Sequence, residues 1–423
     1  MRGAVHRTSS WRTATAPLRA PAFRWLAGGQ LASTVGDLCY AVALPWLVLS
    51  RGGGPALLGL VLAAYGIPRT ALIPLGGVLA DRWGPRTVML GADAMRLPLL
   101  TVLALAALHG RPPVPMLLLV AAAVGAAEGL FIPASFAIAP DLLVGPQLAA
   151  GNSLLAMGTQ LGTLAGPALG GLLVAWLGPS PAFAVDAATF AISAATLARI
   201  PPRRAQPVAV AGPAAPDPRG RGLLALIRAS RVLQVLLLLT VAANLAFGGL
   251  AEVALPALAH GPLRAGAAGY GALLAGVGAG ALVGTVIAGQ LGALARPALV
   301  AAAAFLVEAA ATALVPVLGG LPGAVGALVV FGLMNGLGNV VMVTVIQRWA
   351  PPGLIGRLMA TLVLAGFGLF PLSVVLAGVL VARLGPQPYF LIAAATLALA
   401  IGAGLGRSEF RDLGRTVPAP DAV

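Results

Sequence analysis

GGVLADRWGPR, from Gly76 to Arg86, closes one long apolar stretch and opens another, and its reading decides the fold. It sets Gly77, Asp81, Arg82, Gly84 and Arg86 in the order G-x-x-x-D-R-x-G-x-R, in a turn between two membrane-length segments. Such a turn needs only polar residues, so an acid, two arginines and two glycines at fixed offsets mark a built feature. Gly77 is expected to permit close helix approach and Gly84 to let the chain turn sharply. Asp81 ends the second apolar segment, where a carboxylate is favoured by a helix N-terminus in the other half of the chain or by a nearby arginine. Arg82 and Arg86 can engage acids or lipid phosphates. Asp93 and Arg96, three apart on the next segment, can join the same charged cluster or brace it as a structural salt bridge.

Composition widens the reading from this turn to the whole chain. Its 423 residues are 59% hydrophobic and 9% charged, whereas a soluble chain carries about a quarter charged residues. Repeated apolar runs of about twenty residues mean membrane-spanning helices. Lysine is absent, and all 26 basic residues are arginine. A net charge of +14 would suit nucleic acid, but its distribution argues otherwise. Helix placement puts 20 arginines on one side of the membrane, four on the other (Arg51, Arg111, Arg264, Arg383) and two, Arg69 and Arg96, inside helices. This positive-inside bias sets the arginine-rich face and both termini in the cytoplasm, with membrane lipids and no nucleic acid as expected partners. Cys39 is the single cysteine, so no intrachain disulfide can form. Residues 1–21 lack a continuous apolar core and read as a solvated tail rather than a cleavable signal.

Twelve spans are placed near 23–50, 56–80, 87–109, 114–138, 148–177, 181–199, 231–258, 267–291, 297–318, 322–346, 354–383 and 386–406. Between the sixth and seventh lies PPRRAQPVAVAGPAAPDPRGRG, Pro201 to Gly222, whose proline, glycine and arginine content suits a flexible linker. The LLALIRASRVL that follows can form a short amphipathic helix on the membrane surface, with Arg228 and Arg231 near headgroups. An internal repeat divides the chain here. LGPSPAFAVDAAT (Leu177–Thr189) answers LGPQPYFLIAAAT (Leu384–Thr396), and AVALPWL (Ala41–Leu47) answers EVALPAL (Glu252–Leu258). The expected division is a tail over 1–21, a six-helix bundle over 22–199, a linker over 200–230, a second bundle over 231–406 and a tail over 407–423, the two bundles forming a parallel repeat.

The Gly76–Arg86 turn resembles the signature loop between helices 2 and 3 of the major facilitator superfamily of secondary transporters. Thr87 stands where a second basic residue often follows. The resemblance covers nearly the whole chain and sharpens toward the drug:proton antiporter branch, macrolide-efflux-like and siderophore-exporter-like. GDLCYAVALPWLV (Gly36–Val48), FIPASFAIAPDLL (Phe131–Leu143) and QRWAPPGLIGRLMA (Gln347–Ala360) carry it. GTQLGTLAGPALGG (Gly158–Gly171) resembles the superfamily's antiporter motif, with Gly162, Gly166, Pro167, Gly170 and Gly171 in place and Ser153 at the position of a more distant glycine. Glycine every fourth residue gives a smooth face for close helix contact, and Pro167 bends the helix. The resemblance implies an all-α membrane protein of 12 helices in two six-helix bundles, with the Asp81 loop acting as a cytoplasmic latch. The counterpart stretch GQLGALAR (Gly289–Arg296) keeps a glycine and an arginine but has no acid, so the latch is expected to be asymmetric.

Charges inside the membrane are costly and usually functional. Asp37 lies about 20 Å from the cytoplasmic end of the first helix. Arg69 falls at nearly the same depth on the second helix, so an ion pair between them is within reach. Glu128 on the fourth also falls near the midplane. Burial favours a neutral acid and a nearby arginine favours a carboxylate, so Asp37 or Glu128 can take up a coupled proton with Arg69 tuning it. A permanent structural pair is the competing reading. In the second half Glu308 sits mid-helix, and Glu252 lies nearer the outer end, as Asp186 does in the first half. Asn244, Asn335, Asn339 and Gln160 could line a polyspecific cavity with Phe247, Phe331 and Met334.

An enzyme would need a nucleophile, a metal cluster or a cofactor loop, and none stands out. The histidines His6, His109 and His260 are far apart, and no P-loop is present. The chain therefore reads as no enzyme, with no metal and no cofactor, its driving force a proton gradient. The leading expectation is a monomeric, lipid-embedded exporter of amphipathic or cationic small molecules in the cell membrane. Siderophore export, lysophospholipid movement, uptake and a non-transporting sensor are the alternatives.

Overall fold

The computed structural model describes residues 15–110, 112–143, 146–202, 231–291, 294–349 and 355–413. Every regular element among them is helical. The spanning helices are α1 (Pro21–Ser50), α2 (Gly54–Trp83), α3 (Pro85–His109), α4 (Val114–Leu142), α5 (Pro146–Leu177) and α6 (Pro179–Ala198). After the linker come α7 (Arg231–His260), α8 (Gly266–Gln290), α9 (Pro297–Leu314), α10 (Gly320–Trp349), α11 (Ile355–Leu384) and α12 (Pro386–Leu405), followed by the short α13 (Ser408–Arg411). Their apolar length explains the all-helical form, because in lipid each backbone polar group must be satisfied within its own segment. The surface helix expected over 223–230, residues 292 and 293 of GQLGALAR, and the side chains of Gln347–Ala360 lie outside the described residues.

One device ends three of these helices and starts the next. Gly84, Gly178 and Gly385 have φ of +85°, +82° and +85°. Each donates its N–H back to the helix it closes, to Ala80, Val174 and Val381 at 2.9, 3.0 and 2.9 Å. A proline follows at the first position of the new helix, where its missing N–H costs nothing. The repeated LGPSP and LGPQP segments are two copies of this Gly–Pro joint.

The chain sorts into two compact units, Met1–Leu47 with Ala64–Ala211, and Val48–Ala63 with Gly212–Val423. In the first unit, glycine brings backbones together along two seams. Gly125 and Gly129 of α4 face the carbonyls of Tyr65 and Arg69 on α2, and a Cβ on Gly76 would stand 2.7 Å from the Leu130 carbonyl. Along the other seam α5 lies on α1: Gly162 meets Thr34, Gly166 meets Val35 and Leu38, and a Cβ on Gly170 would stand 2.8 Å from Cys39 Cα. The Cys39 thiol reaches the Gly166 carbonyl at 3.5 Å.

In the second unit α8 and α10 interlock in the same manner and reciprocally. Gly280 and Gly284 face Val329 and Leu333, while Gly332 and Gly336 face Val277 and Ala281. Helix α7 is interrupted. Ser373 of α11 accepts from the Gly249 N–H at 2.7 Å and donates to the Leu245 carbonyl at 3.0 Å, so a hydroxyl stands between two groups that an α-helix would join directly. A π-helical turn, Leu250–Ala254, follows at once and carries Glu252. An inserted side chain and a π-turn are recognised causes of bends in helices.

Candidate functional site

The first unit holds an ionic cluster within its apolar spans. The Glu128 carboxylate of α4 lies between two guanidiniums, Arg69 of α2 at 3.7 Å and Arg96 of α3 at 3.8 Å. Arg96 also stands 4.0 Å from Asp93, whose other oxygen accepts from the Ser193 hydroxyl of α6 at 2.7 Å. These ion pairs are longer than direct hydrogen bonds, so charge rather than bond geometry holds them. Arg96 is 1% exposed and is clasped by rings: its guanidinium lies 4.5 Å from the Phe131 centroid and 4.7 Å from that of Phe190. Nε and Nη2 of Arg96 find no hydrogen-bond partner among the described residues. Cation–π attraction and opposite charge replace the hydrogen bonds that this buried cation would otherwise need.

This geometry corrects two expectations. Arg69 forms its ion pair with Glu128, while Asp37, in electrostatic range of Arg69, Arg96, Glu128 and Asp93, forms no ion pair among the described residues. Asp93 and Arg96 belong to this buried cluster and not to the surface turn, because α3 begins at Pro85 and carries Arg96 roughly 16 Å along its axis. Asp186 lies nearer the Pro179 end of α6, the end read as outer. It is the eighth residue of α6, buried, with its carboxylate against the backbone of Gly36, next to Asp37. Phe131, Phe190 and Ser193 were not singled out as site residues. The signal for them was their helical spacing toward the depth of Arg96, which emerges only once the helices are placed.

The turn itself is simpler than its motif. Asp81 and Arg82 are exposed at the end of α2. Arg86 turns inward: Nε donates to the Leu197 carbonyl at 2.8 Å and Nη2 to that of Ala198 at 3.0 Å, so it caps the C-terminus of α6. A cation there meets the free carbonyls and negative end of the helix. Gly77 was expected to allow close approach, yet a Cβ there would meet nothing within 4 Å; the neighbouring Gly76 is the contact residue. Gly162, Gly166 and Gly170 form the α1–α5 seam, Gly171 is buried beside them, and Pro167 interrupts the α5 ladder.

The second unit contains a cavity of about 300 Å³, lined from α7, α9, α10 and α12. Glu308 of α9 is 1% exposed and accepts from Asn335 Nδ2 at 3.1 Å, leaving Oε2 with no hydrogen-bond partner among the described residues. Asn244, Asn339 and Phe247 also line the cavity. Phe331 packs edge-on against Phe247 with centroids 5.2 Å apart but does not reach the lining, and neither does Met334. Gln160 belongs to the first unit.

The model of the Major Facilitator Superfamily matches residues 26–360. The MFS-type transporter y4rN of Sinorhizobium fredii is 29% identical over 88% of this chain and 91% of its own length. The enterobactin exporter EntS of Salmonella paratyphi A is 27% identical over 80% of each chain. The multidrug efflux pump Tap of Mycobacterium bovis is 32% identical over 43% of this chain and 44% of its own. Among solved structures, the nucleoside transporter NupG superposes with a TM-score of 0.68 at 15% identity, covering 91% of this chain and 98% of its own. A POT family transporter in complex with a thioalcohol-conjugated peptide gives 0.70 at 14% identity, with 91% and 95% covered. At that identity the two structures speak for the fold alone. The family match extends over most of the sequence, and the chain belongs to the Major Facilitator Superfamily: it is a multi-pass membrane transporter and not an enzyme.

Proposed function

We propose that the chain is a proton-coupled exporter of amphipathic small molecules, seated in the cell membrane with its arginine-rich face and both termini in the cytoplasm. The observation that carries this reading is the charge count in the first unit. Four carboxyls (Asp37, Asp93, Glu128, Asp186) share a buried region with two guanidiniums, Arg69 and Arg96. Fully ionised, the cluster would bury two uncompensated negative charges, a heavy cost in an apolar span. Holding protons removes that cost, and releasing them changes the charge of the span by whole units. Glu128 has both arginines and Asp93 has Arg96 with Ser193, so the acids left without an ion pair among the described residues, Asp37 and Asp186, are the natural proton carriers. Asp37 is only partly buried and is our choice for the coupled site.

Export is favoured over uptake by the glycine–proline seam on α5 and by the names of two relatives, an exporter and an efflux pump. Similarity to an enterobactin exporter keeps a siderophore among the substrates to be tried. The test is substrate-stimulated proton release from everted vesicles, with a chemically diverse drug panel and a siderophore included. Stimulated release by the parent chain, abolished in Asp37→Asn but retained at reduced rate in Glu128→Gln, is the expected result. A silent panel, or full coupling in Asp37→Asn, would overturn the reading.

A further inference from the structure

The chain turns back on itself at the end of α12. Gly406 closes that helix, Arg407 is a single extended residue (φ −104°, ψ 124°), and α13 begins at Ser408. The backbone N–H groups of Arg411, Asp412 and Leu413 donate to the carbonyls of Arg407, Ser408 and Phe410 at 3.2, 2.9 and 3.2 Å, so the segment is bonded within itself. Phe410 and Leu413, three apart on one face, are 1% and 3% exposed, whereas Arg407, Glu409, Arg411 and Asp412 are exposed. Helix α13 packs against α7, α9 and α12 at once. Gly404 of α12 makes room for it: a Cβ there would stand 3.2 Å from Val235 Cγ1 of α7 and 3.6 Å from Phe410 Cδ1. On the outer side, the Glu409 carboxyl is held below its usual range by its own backbone N–H, the Ser408 hydroxyl, and the charges of Arg231, the first residue of α7, and Arg407. Apolar contact on one face and charge on the other both tie the segment to α7.

Neither Phe410 nor Leu413 lines the second-unit cavity, yet both belong to the layer at one end of it. Leu236 of α7, Ile346 of α10 and Ile401 of α12 line the cavity and share a buried cluster with Phe410 and Leu413. These three are the lining residues nearest to where α7 begins and where α10 and α12 end. The end of a chain stays docked only where side chains tie it down, and here two apolar anchors sit on about one turn. We propose that Arg407–Leu413 is a releasable strap. Docked, it holds the ends of α7, α9 and α12 together and seals this end of the cavity; undocked, it lets water reach Leu236, Ile346 and Ile401. Release breaks no helical ladder, because the segment's bonds are its own, and Arg407 is the joint that turns. Its free energy is set by the burial of the two anchors, so truncating either one raises the undocked population. The strap acts whatever the substrate, the direction of transport or the coupled ion, and so goes beyond proton-coupled export.

The test is the rate at which a methanethiosulfonate carrying a trimethylammonium group modifies Ile346→Cys in the full chain, held in lipid nanodiscs with Cys39→Ala in the background. Ile346 lines the cavity from α10 rather than from the three helices that α13 ties, and the fixed charge keeps the reagent in water. Nanodiscs leave both faces open, so the orientation of the chain does not enter. When the strap recloses faster than the reagent reacts, the rate follows the undocked population. Phe410→Ala should speed modification by at least about tenfold, because removing a buried ring from a packed core is worth more than that factor. Leu413→Ala should act in the same direction, and it decides the question where Phe410→Ala does not fold. Phe410→Leu keeps most of the apolar volume and should stay nearer the parent. Leu273→Cys on α8 is the control: it is fully buried in the same unit but outside the cluster, and its rate should not change. An unchanged rate at Ile346→Cys in the alanine variants overturns the strap. An equal rise at Leu273→Cys also overturns it, since the substitutions would then loosen the whole unit.

Discussion

Arg96 shows how one residue can organise a membrane-embedded cluster with almost no hydrogen bonds. Its guanidinium carbon lies 4.5 and 4.7 Å from the ring centroids of Phe131 and Phe190, and its nitrogens lie within 4.0 Å of Asp93 and 3.8 Å of Glu128. Arginine suits that position better than lysine, because a flat, weakly hydrated cation loses less on burial and stacks on both rings. Arg96→Lys keeps the charge but gives up the stacking, and should cost about 1–2 kcal/mol. Arg96→Met fills the slot yet leaves Asp93 without a guanidinium and Glu128 with Arg69 alone, a loss of about 3–5 kcal/mol for breaking a buried pair. Thermal unfolding of the detergent-solubilised variants should rank them parent, Lys, Met. A lysine variant as stable as the parent would show that the rings contribute nothing.

At the scale of elements, α7 is the helix whose regularity is given up. A continuous helix would join the Gly249 N–H to the Leu245 carbonyl; here the Ser373 hydroxyl bridges them, and the π-turn over Leu250–Ala254 follows. The interruption adjoins the cavity, since Asn244, Phe247 and Gly248 all line it. Ser373→Ala removes the bridge and leaves the buried Gly249 N–H without that acceptor, while the Leu245 carbonyl keeps the Tyr389 hydroxyl at 3.4 Å, so unfolding stability should fall by about 1–3 kcal/mol unless the helix closes its own ladder. Hydrogen exchange at Gly249 separates the cases: faster exchange marks an open gap, unchanged exchange a closed ladder and a dispensable serine. The sequence carried the spans well. Apolar length and Gly–Pro punctuation are local signals, and the twelve helices begin and end within four residues of the positions read from them. It carried the cluster poorly, because which face of an alanine-rich helix turns inward depends on its neighbours. Gly77 and Gly76 are adjacent and chemically identical, yet only Gly76 touches another helix. Arg96 was legible in depth but not in company: its position along α3 could be counted, whereas its contact with Glu128 depends on how α3 and α4 pack.

On the scale of the whole molecule, each compact unit carries its own ionisable centre. Asp37, Asp93, Glu128 and Asp186 belong to the first unit with Arg69 and Arg96, while Glu308 belongs to the second and has an amide, not a cation, as its partner. The two centres share no residue and differ in kind. One holds excess acid against fixed cations; the other is a single acid beside a cavity, held by one amide among the described residues. Substitutions at sites with no common partner change stability independently, within a few tenths of a kcal/mol. Asp37→Asn and Glu308→Gln should therefore change thermal unfolding stability additively, within about 0.5 kcal/mol, while Asp37→Asn abolishes coupled proton release in vesicles. The double variant should show the sum of the two single changes. Thermal unfolding of all four chains under one set of conditions gives the coupling energy directly. A double variant that departs from that sum by about 1 kcal/mol or more would mean that the first-unit acids and Glu308 act on one another through a shared change of conformation. In that case the two units could not be treated as separate centres even at equilibrium.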